Sequence, residues 1–283
     1  MNKKHLKWKQ EEIDFLIKNY PSTSAKYCAS ILNRNLYCTK SKILKLKLKT
    51  NKQGSIGLLN LLDDTCESFY WIGFLLADGS FNILNGRSAV KLTSSPKDYS
   101  HLVKFANFID KKENSIKHYL VKSAYLPYPN ETCEITASHK QLVKDICLKF
   151  DIKNNKTYNP PNFSLWKDFA QENIISLFAG FIDGDGTIYH RHMADNPRIR
   201  IKIHSTWFDF LMFFKGTLEN YFNIPTSNPR INRQGYVELN ICKEQLLKEL
   251  KKFVLDKNLP IMTRKWDYIN LNRANKTFKI NKS

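Results

Sequence analysis

Tyr70-Trp71-Ile72-Gly73-Phe74-Leu75-Leu76-Ala77-Asp78-Gly79-Ser80 is answered 107 residues later by Leu177-Phe178-Ala179-Gly180-Phe181-Ile182-Asp183-Gly184-Asp185-Gly186-Thr187. Each run is apolar on every side, which predicts a helix buried all round. Gly73 and Ala77 are four apart and fall on one helix face, as do Gly180 and Gly184. Small residues at that spacing let two helix backbones approach closely. If the two copies pack there, Asp78 and Asp185 emerge side by side at the helix ends, and Gly79 and Gly186 are expected as the left-handed residues that stop each helix. Two carboxylates so placed repel each other and oppose the helix dipoles. A divalent cation would remove the conflict, and hard oxygen ligands point to Mg²⁺. A lone Asp-Gly after an apolar run would be no more than a helix end; a duplicated one asks for a shared role.

The duplication extends outward. Val90-Lys91-Leu92 parallels Ile201-Lys202-Ile203, with Asp98 and Asp209 each eight residues after the first member. Glu134-Ile135 with Gln141-Leu142-Val143-Lys144 parallels Glu238-Leu239 with Gln245-Leu246-Leu247-Lys248, and Ile152 with Lys156 parallels Ile261 with Lys265. The landmarks keep their order at offsets of 104 to 111 residues, as an internal repeat requires. Each copy reads as helix, strands, helix, strands, helix, giving an α+β protein. The strands alternate: Arg198, Arg200, Lys202 and His204 face one way while Ile199, Ile201 and Ile203 face the other. Around a turn at Arg233-Gln234-Gly235, the polar set Arg230, Asn232, Tyr236, Glu238 and Asn240 alternates with Val237, Leu239 and Ile241. One face is therefore oily, and the other carries side chains that pair with phosphates and base edges.

Charge agrees with that partner. The 283 residues hold 45 Lys+Arg against 26 Asp+Glu, a formal net charge of +19, which favours a polyanion. Residues 1–50 concentrate it, with twelve basic residues and three acids. Three short helices are expected there, over about 10–19, 24–32 and 38–47. The last carries Lys40, Lys42, Lys45 and Lys47, a pattern that fits a helix-turn-helix whose final helix enters the major groove. Thr50–Asn60 has two glycines and no clear period and reads as a linker. The expected organisation is a head at 1–50, a linker at 51–63, and halves at 64–165 and 166–283. There is no signal-peptide pattern and no run long enough to span a bilayer. The six cysteines include no C-x-x-C pair, which argues against a zinc ribbon or a disulfide framework and suits a reducing intracellular compartment rather than secretion.

The runs Trp71–Gly79 and Phe178–Gly186 resemble the two signatures of a monomeric LAGLIDADG homing endonuclease, over about residues 60–275. The resemblance implies two pseudo-symmetric αββαββα halves whose sheets form a saddle over a long double-stranded DNA site. It also implies that Asp78 and Asp185 bind Mg²⁺ (Mn²⁺ or Ca²⁺ can take the same places), that the backbone carbonyls of Ala77 and Gly184 join the metal shell, and that each centre directs cleavage of one strand to leave short 3′ overhangs. A lysine near the metals is implied too. Lys91 and Lys202, at matching places, are the first candidates for it, with Lys156 and Lys265 second and a phosphate contact the competing role. Arg87 joins the residues expected on DNA. The head resembles helix-turn-helix modules attached to phage and intron-encoded nucleases through Trp8, Glu11-Glu12, Phe15-Leu16 and Asn19-Tyr20-Pro21. The first copy departs from the second at one acid, with Leu76 where Asp183 stands. Alternatives are an intron RNA maturase, with intron RNA as partner, a non-cleaving DNA-binding regulator, and an HNH-type nuclease built on His190, His192 and His204. The chain lacks the terminal Cys and His-Asn pair of a splicing intein, so a free-standing protein is expected.

Overall fold

A computed structural model describes residues 7–20, 25–48, 54–83, 88–121, 129–190 and 196–271; Arg87 and His192 lie outside them. The chain divides into two compact units, Met1–Gly54 and Ser55–Ser283.

The first unit holds α1 (Gln10–Asn19), α2 (Ala25–Ile31) and α3 (Leu36–Lys45), the last beginning two residues before its sequence-based start. Leu16, Cys28 and Ile43 form its core, with Trp8, Phe15 and Leu46 packed around them. A core this small needs polar staples. Arg34 supplies one: its Nε and Nη2 reach the two Glu12 carboxylate oxygens at 2.8 Å while the guanidinium lies 4.5 Å from the Trp8 ring centre. Asn35 caps α3 by accepting from Tyr37 N–H at 2.7 Å, as expected for an Asn at that position.

The second unit begins earlier than the sequence suggests. Residues 56–62 form a 3-10 helix whose Leu58 and Leu61 are fully buried, so most of the expected linker belongs to the core. Gly57 is needed there, since a β-carbon would fall 2.1 Å from the Ile109 carbonyl oxygen. Then follow α4 (Cys66–Ala77), β1 (Gly79–Ile83), β2 (Ser88–Ser94), α5 (Tyr99–Phe108), β3 (Lys117–Val121), β4 (Asn130–Ser138) and α6 (Lys140–Lys149). The second half repeats them as α7 (Gln171–Asp185), β5 (Gly186–His190), β6 (Pro197–His204), α8 (Phe208–Phe222), β7 (Arg230–Ile231), β8 (Tyr236–Ile241) and α9 (Glu244–Asp256), closed by the short α10 (Thr263–Trp266). This is the expected α+β fold of two αββαββα halves. Each half has one antiparallel four-stranded sheet, ordered β1-β2-β4-β3 and β5-β6-β8-β7. Along β6 the isoleucines are buried while Arg198, Arg200, Lys202 and His204 reach the open face. Among the described residues no helix is long and apolar enough to cross a membrane.

Strand register corrects two sequence landmarks. Gly79 pairs with Leu92, and Gly186 with Ile201; Glu134 faces Thr93, and Glu238 faces Lys202. Lys91 is thus the counterpart of Arg200, and Lys202 of Thr93, one strand repeat away from the sequence-based match. Likewise Asp98 ends the 3-10 turn before α5, whereas Asp209 lies inside the first turn of α8.

Candidate active site at the paired helix ends

α4 and α7 pack backbone to backbone. A β-carbon on Gly73 would fall 1.8 Å from the Leu177 carbonyl oxygen, one on Gly180 1.9 Å from that of Tyr70, and one on Gly184 2.3 Å from Ala77 Cβ. Nothing larger than glycine fits at the first two points. This contact sets the helix ends together, with Asp78 and Asp185 both on the solvent-facing side there.

The exit from each helix differs from the expected left-handed glycine. Asp78 stays right-handed (φ −92°, ψ −13°) and its N–H donates to Phe74 O at 2.9 Å; Gly186 is extended (φ −82°, ψ 157°). The chain passes directly into β1 and β5. Glycine is required because a β-carbon at Gly79 or Gly186 would lie 2.7 or 2.6 Å from the carbonyl oxygens of Leu75 and Ile182.

Two lysines close the site, and they are the pair ranked second from sequence. Lys156 Nζ donates to the carbonyls of Leu76 (2.6 Å) and Ala77 (2.9 Å). Lys265 Nζ reaches those of Ile182 (3.2 Å), Asp183 (2.5 Å), Gly184 (3.2 Å) and Gly186 (2.8 Å). Each ammonium caps a helix C-terminus, where unpaired carbonyls gather negative potential. Burial pushes both lysines down from their ordinary pKa, opposed by the attraction of Asp78, joined at Lys156 by Asp185 and at Lys265 by Asp183. Burial pushes Asp78 up to about 6, with the Asp185 charge adding to it and Lys265 and Lys156 pulling back. Asp185 is raised as well, again by burial, with Lys156 and Lys265 opposing. Carboxyls that burial holds above their normal pKa would be favoured in their charged form by a divalent cation. The Ala77 and Gly184 carbonyls each already accept from a lysine, although a carbonyl keeps a second lone pair. No cluster of three or more His, Cys, Asp or Glu side chains suited to a metal occurs among the described residues. Of the histidines considered for an HNH-type centre, His190 approaches the Tyr268 carbonyl at 3.1 Å and His204 bonds Thr206.

The raised carboxyls have a consequence for stability. A carboxyl with a folded pKa above its unfolded one lends stability below the unfolded value and loses it as pH rises through the folded value. For Asp78 the window runs from the ordinary carboxyl value of 3.8 to about 6. In EDTA, Asp78→Asn is therefore expected to raise the melting temperature at pH 7, with the gain shrinking to nothing near pH 4. The opposite slope from His101, whose burial lowers it to about 3, is common to both proteins and cancels. Parallel melting curves at every pH would show that Asp78 is not destabilised by its surroundings.

Asp183, the acid missing from the first copy, serves packing. It is fully buried and accepts from Tyr70 Oη (2.7 Å), Met262 N–H (2.9 Å) and Trp266 Nε1 (2.9 Å). Those bonds tie α10, which carries Lys265, to both motif helices. In the first half Leu76 simply adds apolar volume.

The remaining sequence candidates separate. Lys202 lines a cavity of about 250 Å³ together with Asp185, Lys156 and Ala77. Lys91 is instead bound to Glu134 at 2.5 Å. Arg198, Arg200, Arg230, Arg233, Tyr236, Glu238 and Asn240 lie on the open face or edge of the second sheet, partly or fully exposed. The Asn232 carbonyl oxygen is used internally, accepting from Gln234 N–H and Tyr236 N–H around Gly235 (φ +78°). In the head, Lys40, Lys45 and Lys47 are exposed, while Lys42 turns its ammonium toward the Trp8 ring, 6.0 Å away.

No family model matches the sequence, and no curated protein matches it. Solved structures do. The chain is similar to the homing endonuclease I-WcaI bound to its DNA recognition sequence, at 15% identity over 75% of this chain and 88% of that one, with a TM-score of 0.51. It is similar also to the LAGLIDADG homing endonuclease I-GzeII in complex with its DNA target (14% identity, 71% and 86% covered, TM-score 0.44) and to I-DmoI in complex with DNA and Ca (17%, 68% and 89%, 0.43). At such identity a likeness establishes the fold, which is that of the LAGLIDADG homing endonucleases.

Proposed function

We propose that this protein is a site-specific DNA endonuclease that makes divalent-metal-dependent double-strand breaks in a long target. The observation that carries this reading is the pairing of Asp78 and Asp185, each with a half-buried lysine, at the touching ends of two helices flanked by sheets with polar open faces. A bound cation, Mg²⁺ first and Mn²⁺ or Ca²⁺ at the same place, would supply a hydroxide at neutral pH and offset charge on the leaving oxygen. Asp78 and Asp185 would hold it, with the Ala77 and Gly184 carbonyls in reach. Lys156 and Lys265 fix the carbonyls beneath and set positive charge beside the site, where a phosphoryl transition state gathers negative charge. Lys202 is placed for a phosphate beside Asp185. One chain supplies both aspartates, so a monomer suffices, and duplex DNA as substrate implies an intracellular setting. The presence of both acids favours cleavage over a maturase or a binding-only regulator. The test is digestion of a source-genome DNA library with purified protein and Mg²⁺, followed by sequencing of the ends: recurrent double-strand ends at one long site are expected, and ends indistinguishable from an EDTA control would overturn the proposal.

The head is proposed as an accessory DNA-binding module, with Lys40, Lys45 and Lys47 on phosphates. Each phosphate contact contributes roughly 0.9 to the slope of log affinity against log salt. A chain beginning at Ser55 is expected to bind DNA with a flatter slope; an unchanged slope would remove the head from the DNA-binding surface.

A further inference from the structure

The two sheets are alike in backbone and unlike in charge. Reading along the open face of the second strand of each, Ala89, Lys91 and Thr93 stand where Arg198, Arg200 and Lys202 stand. The first row holds one cation, and it is cancelled. Glu134 lies 2.5 Å from Lys91 Nζ, and its carboxylate is further pinned by Tyr119 Oη and by Thr136 Oγ1 at 3.1 Å. These donors, Lys91 among them, hold Glu134 below its usual pKa against its burial, so the pair stays ionised and mutually occupied. In the second row the matching acid, Glu238, makes only a looser ion pair with Arg200, 3.9 Å from its Nε, and also accepts from Asn240. Arg200 rests 5.3 Å from the Tyr189 ring centre and Lys202 4.9 Å from that of Tyr236. An aromatic face steadies a cation without neutralising it, and Lys202 otherwise donates only to the neutral Gln234 amide oxygen at 3.4 Å, so both are more available to an anion than Lys91.

We propose that the second strands of the two sheets grip the duplex by different physics: β6 anchors phosphates through Arg200 and Lys202, while β2 docks without an available cation because Glu134 masks Lys91. This rests on the reading of the protein as a DNA endonuclease. Phosphate contacts carry affinity and salt dependence, whereas sequence is read through polar side chains at base edges. The half-site under the second sheet is therefore held more strongly and with less regard to sequence. Under the first sheet, β2 contributes selectivity and adds little to the salt dependence.

Glu134 gives the decisive test, because its removal should add a contact. Binding of the full chain to a random-sequence duplex is followed by fluorescence anisotropy between about 50 and 200 mM KCl. Glu134→Gln keeps the shape of the carboxylate and frees Lys91, and is expected to tighten binding at low salt and steepen the slope by roughly one phosphate contact. Arg200→Gln is expected to flatten the slope by as much, Lys91→Gln to leave it unchanged, and Lys91→Gln/Glu134→Gln to return it to the wild-type value. A wild-type slope in Glu134→Gln at unaltered melting temperature, or equal flattening by Lys91→Gln and Arg200→Gln, would overturn the division. If Glu134→Gln melts early, the Lys91→Gln against Arg200→Gln comparison decides alone. Wild-type protein with no salt-dependent DNA affinity would instead remove the endonuclease reading, and the division with it.

Discussion

Asp78→Asn and Asp185→Asn are each expected to abolish double-strand cleavage while leaving DNA affinity within a few-fold of wild type. Asparagine keeps the shape of the side chain and one oxygen but loses the charge that would hold a divalent ion. Metal-supplied charge stabilisation is worth several kcal/mol in the transition state, and about 4 kcal/mol corresponds to 10³-fold in rate. Cleavage should therefore fall by about 10³-fold or more in each variant, because a double-strand break needs both strands cut. Binding is expected to survive because neither substitution removes a cation from the open sheet face, where Arg200 and Lys202 stand. The two variants need not leave the same product. Lys265 makes four carbonyl contacts and sits on a helix tied down by Asp183, while Lys156 makes two. Supercoiled plasmid carrying the target, assayed for nicked and linear forms, distinguishes loss of one cut from loss of both. Wild-type rates of linear product in both variants would defeat the assignment.

How far the sequence reaches into this site depends on which physical signal each residue leaves. The motif helices were legible because burial all round demands an unbroken apolar run, and because a glycine repeated at the same place in two copies marks a close approach. The sheet faces were legible because a strand half in contact with a core must alternate. The same period of two hides a slip of one repeat, since moving a strand by two residues leaves every side chain on its original face. Lys91 was matched with Lys202 for that reason, and only the pairing of Gly79 with Leu92 and Gly186 with Ile201 separates them. Lys156 and Lys265 stand out in the sequence as a repeated pair but with less to favour them than Lys91 and Lys202. Lys156 lies in a turn with no period to orient it, and the carbonyls it caps are more than seventy residues away. Asp183 appeared as a defect in the symmetry. Its partners, Tyr70 on one motif helix and Met262 with Trp266 at α10, lie far from it in the chain, and no local pattern announces a buried acid with three donors.

The close approach of α4 and α7 yields the largest expected effect on stability. Alanine is a better helix former than glycine by roughly 1 kcal/mol, so propensity alone would make Gly73→Ala and Gly180→Ala stabilising. Packing opposes this: each β-carbon would meet a main-chain carbonyl oxygen at 1.8 or 1.9 Å, where comfortable contacts are about 3.5 Å. A carbonyl inside a helix cannot swing aside as a side-chain tip can, so the helices must part. Overpacking of this kind costs about 3 kcal/mol or more, which outweighs propensity. Gly216, in α8, supplies the control, since a β-carbon there meets nothing within 4 Å; Gly216→Ala is expected to gain about 1 kcal/mol. Urea denaturation should thus show the same substitution with opposite signs at Gly73 and Gly216. The functional consequence follows from the same geometry. Parting the helices moves Asp78 from Asp185, so Gly73→Ala should lose cleavage even at temperatures where it remains folded and bound to DNA. A Gly73→Ala protein as stable and as active as wild type would mean that the helix ends are not held together by this contact, and the shared metal site would lose its foundation.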